Sequence, residues 1–263
     1  MITTLKKDIF NWVFLFLGGV ILLFIVAPFI GIYFETPLKE LIDVSLEAEV
    51  QNSIWLTIWT SMAGTFLCAV FSIPLSYILA RKNFPLKKLV NGVIDLPIII
   101  PHSAAGIAIL GMISRDSVIG STAKSMGFSF VGNPAGIMLA MAFVSVPFLI
   151  NAARDGFSAV PEKYEKAALN LGASQTRVFF TVSLPLAWRS ILSGLILMWA
   201  RGMSEFGAVI IVAYHPITTP VMIYERFTSF GLKYSMPVTV LFITICLGFF
   251  LAFRLIGKKR VDT

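Results

Sequence analysis

At 263 residues, 57% hydrophobic and 13% charged, with a mean hydropathy of +0.86, the chain is far more apolar than a soluble domain, in which about 25% of residues are charged. Its formal charge of +7 does not point to nucleic acid, because polytopic membrane proteins collect Lys and Arg on cytoplasmic loops. The two cysteines, Cys68 and Cys246, both lie in apolar runs and indicate neither a disulfide framework nor a zinc site.

Runs able to cross ~30 Å of hydrocarbon, at ~20 residues each, fall at about 10–33, 53–80, 89–113, 134–152, 189–213 and 236–256. They predict an all-α polytopic membrane protein of about six transmembrane helices. The first run exceeds a signal-peptide core and no small-x-small cleavage site follows it, so it reads as a retained span. No low-complexity tract or long linker divides the chain, which reads as one domain over 1–263.

Orientation follows from the basic residues. With both termini inside, the cytoplasmic segments carry Lys6, Lys7, Arg81, Lys82, Lys87, Lys88, Arg154, Lys163, Lys166, Arg177, Arg189, Arg254, Lys258, Lys259 and Arg260, 15 in all. The outer segments carry 5: Lys39, Arg115, Lys124, Arg226 and Lys233. The outer segment after the first span holds Glu35, Glu40, Asp43, Glu47 and Glu49 against Lys39, a solvated acidic rim and a candidate docking surface. A short echo, S-x-P-x5-A-R, recurs at Ser72 to Arg81 and at Ser145 to Arg154, the cytoplasmic ends of the second and fourth spans.

The third span reads DLPIIIPHSAAG from Asp95 to Gly106. Pro97 and Pro101 interrupt its backbone ladder, and interrupted helices at membrane depth are tolerated where they line a cavity or are buried in protein. Pro101, His102 and Ser103 are therefore candidates for a translocation path, with a plain kink as the structural alternative. The fifth span carries Arg201, Ser204 and Glu205. Arg201 and Glu205 stand one turn apart and can neutralise each other. Either the pair is structural, or Arg201 and Ser204 present donors to an anion while Glu205 keeps binding weak enough for release. Gly202 and Gly207 suit close helix approach, including contact with a second copy.

Between the fourth and fifth spans, 153–188, lies a soluble-looking stretch, YEKAALNLGASQTRVFFTVSLP from Tyr164 to Pro185. Pro161 suits a first helical turn, Glu162 and Glu165 sit near the positive dipole end, and Gly172 can take a left-handed stop. Tyr164, Ala167, Ala168 and Leu171 recur at helical spacing and form a small apolar face. A second helix is expected to begin after Ser174 and end near Leu184 and Pro185.

The pattern Ala167-Ala168, Gly172, then Val182 to Pro185 resembles the EAA signature of ATP-binding-cassette importer permeases, whose segment forms a cytoplasmic coupling helix. One departure matters: the acid of that signature falls on Lys166, and the nearest acid is Glu165. The stretches DLPIIIPH and ARGMSEFGAVIIVAYHP, followed by Thr218, Thr219, Pro220, Ile223 and Tyr224, resemble the sulfate, molybdate and tungstate group, most nearly its archaeal molybdate/tungstate type.

The resemblance implies coupling to an ATPase through Tyr164, Glu165, Lys166, Ala167, Ala168, Gly172, Leu184 and Pro185. It also implies a second permease copy, a cytoplasmic ATPase pair carrying ATP and Mg, and an external oxyanion-binding protein, all at the cell membrane. The chain has no G-x4-G-K-[ST] loop with which to bind ATP itself, so no cofactor and no catalytic site are expected on it. A secondary transporter or channel for small anions is the alternative. An intramembrane hydrolase is disfavoured, since neighbouring His102 and Ser103 point in different directions on a helix.

Overall fold

The computed structural model describes residues 2–258, and side chains over 10–252. Lys259 and Arg260, used above for orientation, lie outside the described residues. Among the described residues there are helices and no strands.

Helix α1 (Ile2–Glu35) is followed by α2 (Leu38–Leu46), α3 (Ala48–Arg81), α4 (Lys87–Ile99), α5 (His102–Ile113), α6 (Val118–Ser125) and α7 (Pro134–Ala159). Then come α8 (Glu162–Asn170), α9 (Gln175–Val178), a π-helical turn (Phe179–Ser183), α10 (Leu184–Met203), α11 (Gly207–Val212), α12 (Thr219–Phe230) and α13 (Leu232–Lys258). Five helical stretches among the described residues are long and apolar enough to cross a membrane, and a sixth span results if α4 and α5 count as one.

The centre of the bundle is α3, α7 and α10 packed together. The inward stripe of α3 is made of small and hydroxylated residues, Ser53, Thr57, Ser61, Thr65, Ser72 and Ser76, all buried. Hydroxyls at membrane depth need partners. Here Thr57, Ser61, Thr65 and Ser76 each donate to the carbonyl four residues back at 2.7–2.8 Å, so these four hydroxyls are satisfied within the helix and neighbouring helices can approach closely. A second core joins Ala105 and Ile109 of α5, Ile137 and Met141 of α7, and Ala208 and Val209 of α11. Helix α1 stands apart with its apolar side chains outward, tied to α13 by a 2.6 Å hydrogen bond between Tyr33 and Thr244.

Two expected boundaries need correction, and the interruption expected in the third span falls at Pro101 alone: Pro97 lies inside α4, and α4 and α5 meet at 110°. Ile100 is extended, at φ −74° and ψ 149°, because the following Pro101 disfavours the helical region for the residue before it. The fifth span is helical only to Met203 and resumes as α11 after Ser204, Glu205 and Phe206. The segment after Ser174 does not stop at Leu184 and Pro185 but runs on into α10. The π turn absorbs the proline, with Leu184 N donating to Phe179 O five residues back and Pro185 falling in the first turn of α10.

Candidate functional site

Two constellations gather the residues singled out from the sequence. The first lies where both interrupted spans break. Arg201 Nη2 forms an ion pair with Glu205 Oε2 at 2.9 Å and lies 2.9 Å from His102 Nδ1 and 2.8 Å from its Nε2. His102 Nδ1 lies 3.1 Å from the same Glu205 oxygen. Glu205 Oε1 accepts from Ala208 N at 2.9 Å and so caps α11. This work explains why Glu205 is fully buried although ionisable.

Ser204 is exposed, and its hydroxyl accepts from Arg201 Nη1 at 3.3 Å while donating to Arg201 O at 3.0 Å. Ser103 and Pro101 are exposed at the start of α5 beside His102. All six path candidates therefore meet at one pair of helix breaks. The cation of Arg201 is balanced by Glu205, so the site offers donors without a strong net field.

The glycines around this site make the close helix approach expected of them. Gly207 approaches α5 of its own chain, where a Cβ would stand 2.8 Å from His102 Cβ, and Gly202 faces Ser61 of α3 at 3.5 Å. Both close approaches are made within the chain.

The second constellation is built on α8. Gly172 has φ +87°, and the helix closes with Gly172 N donating to Leu169 O at 2.9 Å and Ala173 N to Ala168 O at 3.1 Å, a Schellman stop. Ser174 then caps α9 through Arg177 N at 3.3 Å. The apolar face of α8 points away from the bundle: Tyr164 is 48% and Leu171 89% exposed, Ala167 is exposed and Ala168 half-buried. The buried residue of this helix is Glu165. Arg81, at the end of α3, grips it with Nη2 at 2.7 Å and Nε at 2.9 Å from Oε1, Ser183 donates to the same oxygen at 2.7 Å, and Tyr77 donates to Oε2 at 3.3 Å. Burial works against the Glu165 anion, but donation by Arg81, Ser183 and Tyr77 outweighs it, and the carboxyl titrates below its ordinary value.

Lys166 is exposed and pairs with Glu162 at 2.9 Å, one helical turn back. Leu184 packs against Ala153, Phe157 and Ile191, and Pro185 is exposed. The eight coupling candidates thus divide into an outward set, Tyr164, Lys166, Ala167, Gly172 and Pro185, an inward set, Glu165 and Leu184, and the half-buried Ala168.

Sequence reasoning missed the partners of these residues. Arg81 and Ser183 were not paired with Glu165, and Asn151 of α7, which donates to Asp95 of α4 at 2.7 Å, was not singled out. Asp95 entered only as the first residue of the DLPIIIPH stretch, and nothing local marked its partner.

The description "Binding-protein-dependent transport system inner membrane component" fits the family model that matches residues 72–261. The "Molybdate/tungstate transport system permease protein WtpB" of Pyrococcus abyssi is 41% identical over 97% of this chain and 98% of its own. Its namesake in Methanocaldococcus jannaschii is 42% identical over the same shares. A "Probable sulfate transport system permease protein" of Chlorokybus atmophyticus is 29% identical over 80% of this chain and 74% of its own. In fold, the chain is similar to a solved bacterial ABC transporter "involved in the import of the acidic polysaccharide alginate", with a TM-score of 0.76 at 15% identity over 98% of each chain. With that family match covering most of its length, the chain belongs to the inner membrane components of binding-protein-dependent transport systems, the permeases of ABC importers.

Proposed function

We propose that the chain is the membrane-spanning permease of an ATP-driven importer that moves a tetrahedral oxyanion, molybdate or tungstate, across the cell membrane. The observation that carries this reading is the 41% identity along 97% of the chain to a permease named for that transport. Two copies surround a central path, their termini and α8 face the cytoplasm, and a binding protein delivers the anion outside. ATP and its magnesium ion are taken by a separate ATPase pair.

The exposed stripe of Tyr164, Ala167 and Leu171 supports docking of α8 into that partner, since an apolar stripe on a short polar helix gains by being covered. Closure of the ATPase pair draws the α8 ends of the two permeases together and opens the outer side; hydrolysis restores the inward-open state. ATP, docked protein and anion each bias the two states by differential affinity. At the helix breaks, Arg201 and the hydroxyls of Ser103 and Ser204 offer donors to the passing anion, while Glu205 holds the net attraction low enough for release.

Co-purification tests the reading. The chain extracted in mild detergent is expected to retain a cassette ATPase from its own operonic or cellular background. Oxyanion flux through the purified chain in liposomes without any ATPase would contradict it and favour a secondary transporter or channel.

A further inference from the structure

Helix α3 stays helical over 34 residues although Pro74 lies within it, whereas the third and fifth expected spans are both broken. It is fastened near each end to a short helix that lies outside the central bundle. At one end Thr219 N, in the first turn of α12, donates to Thr57 Oγ1 at 2.9 Å. The first N–H groups of a helix have no intrahelical acceptor, and Thr218, the residue before α12, makes no side-chain cap. Thr57 therefore caps α12 from another helix, with Ser53 Oγ also 3.3 Å from Thr219 Oγ1, and both Thr57 and Thr219 are wholly buried. At the other end Arg81 holds Glu165 of α8 by two hydrogen bonds and also donates to Val160 O at 3.0 Å. From Thr57 to Arg81 the helix covers about 36 Å at ~1.5 Å per residue, more than the ~30 Å hydrocarbon layer.

We propose that α3 is a transmission rod: Thr57 and the Arg81–Glu165 pair are positioning residues that fix α12 and α8 to one continuous helix. A displacement of α8 is thereby conveyed to α12 on the opposite side of the membrane. This rests on the coupling reading above and deepens it, because it assigns Glu165 to force transfer inside the permease and not to contact with the ATPase. The exposed apolar stripe of α8 remains free to make that contact, and a carboxylate held by four hydrogen bonds from three side chains has little capacity left for a partner. The physical basis is two-ended attachment. A helix joined at only one end tilts alone, while one bonded at both ends must carry both attached segments with it.

The test uses the full transporter, permease with its ATPase and binding protein, in liposomes, and reads the stimulation of ATP hydrolysis by molybdate-loaded binding protein. Thr57→Val removes the cap at nearly constant volume, Glu165→Gln removes the charge at constant shape, and Thr57→Ser restores the hydroxyl. Thr57→Val and Glu165→Gln are each expected to reduce stimulation by about tenfold, within the usual range of coupling energies, with the ATPase still co-purifying. Thr57→Ser should match wild type. The decisive readout is the double variant Thr57→Val/Glu165→Gln, expected to be no worse than the worse single, because a rod is disconnected by either loss. Independent structural defects so far apart would instead combine, their fold-losses multiplying. Multiplied losses, unchanged stimulation in either single variant, or loss of the ATPase from the Glu165→Gln complex would overturn the proposal. A wild-type complex without stimulation would instead overturn the coupling reading on which it stands.

Discussion

His102 Nδ1 lies 3.1 Å from Glu205 Oε2, so the first residue after the break in the third span touches the residue at the break in the fifth. The contact joins two interruptions that each leave backbone groups without helical partners. Glu205 also supplies the acceptor for Ala208 N, and it balances Arg201. Glu205→Ala therefore leaves a part-buried cation unpaired and an N–H uncapped. A loss of about 3–5 kcal/mol is expected, the usual cost of breaking a buried pair from one side. Thermal unfolding of the detergent-solubilised chain measures it, and Glu205→Gln, which keeps an acceptor for Ala208 N, should lose less. An unaltered Tm in Glu205→Ala would show that the pair is not holding the two breaks together.

Replacement of Arg201 by Ala, or of Ser204 by Ala, is expected to lower molybdate uptake while leaving docking of the binding protein unchanged. For Arg201→Ala the fall should be about tenfold, as for loss of a charge-assisted hydrogen bond of ~1.5 kcal/mol. Arg201→Lys should fall between, because an ammonium lacks the fork by which Nη2 reaches Glu205 and His102 while Nη1 reaches Ser204. Uptake at the wild-type rate in both alanine variants would make these residues structural only.

The break in the third span was readable from Pro101, although Pro97 sits inside α4 without breaking it, and the Gly172 stop and Ser174 cap were readable from residue type alone, because each depends on backbone preferences acting over a few residues. The meeting of Arg201 with Glu205 was also readable, from their spacing by one turn. The facing of α8 was not. Helical spacing correctly groups Tyr164, Ala167, Ala168 and Leu171, but periodicity does not say whether an apolar face meets its own bundle or a partner. Here Glu165 turns inward because Arg81, distant in sequence, and Ser183, beyond the π turn, converge on it. The same limit hid the His102 contact with Glu205 and the Asp95 contact with Asn151, since packing between helices decides both.

On α8, Gly172→Val forces a β-branched residue to φ +87° at a position where nothing lies within 4 Å of the added Cβ. The cost is then local backbone strain of roughly 1–3 kcal/mol, which should distort the end of α8 and leave the bundle folded. Ala168→Asp places a charge at the edge of the exposed apolar stripe. Both are expected to abolish stimulation of ATP hydrolysis by loaded binding protein with insertion intact. Wild-type stimulation in both would remove α8 from the coupling path.

Glu165 gives the attachment of α8 a definite pH dependence. Its folded-state pKa is depressed, with Arg81 and Ser183 as the leading stabilising partners set against burial. A depressed carboxylate contributes stability that is fully present above its unfolded pKa, about 4.3, and is lost as pH falls through the folded value. Hydrogen exchange over 162–170 should therefore be flat from pH 7 to pH 5, after correction for intrinsic rates, and rise relative to α3 only in more acidic solution. Glu165→Gln should show raised exchange already at pH 7. A rise in the wild type between pH 7 and pH 5 would mean that some other group holds the helix.

The most direct test of the importer reading is uptake of labelled molybdate into liposomes carrying the permease with its ATPase, with loaded binding protein outside and ATP sealed inside. Accumulation against a gradient is expected only with binding protein and hydrolysable ATP together, and a tenfold excess of free sulfate should leave it largely unaffected. Equal uptake with a non-hydrolysable nucleotide, or uptake by the permease alone, would contradict the account.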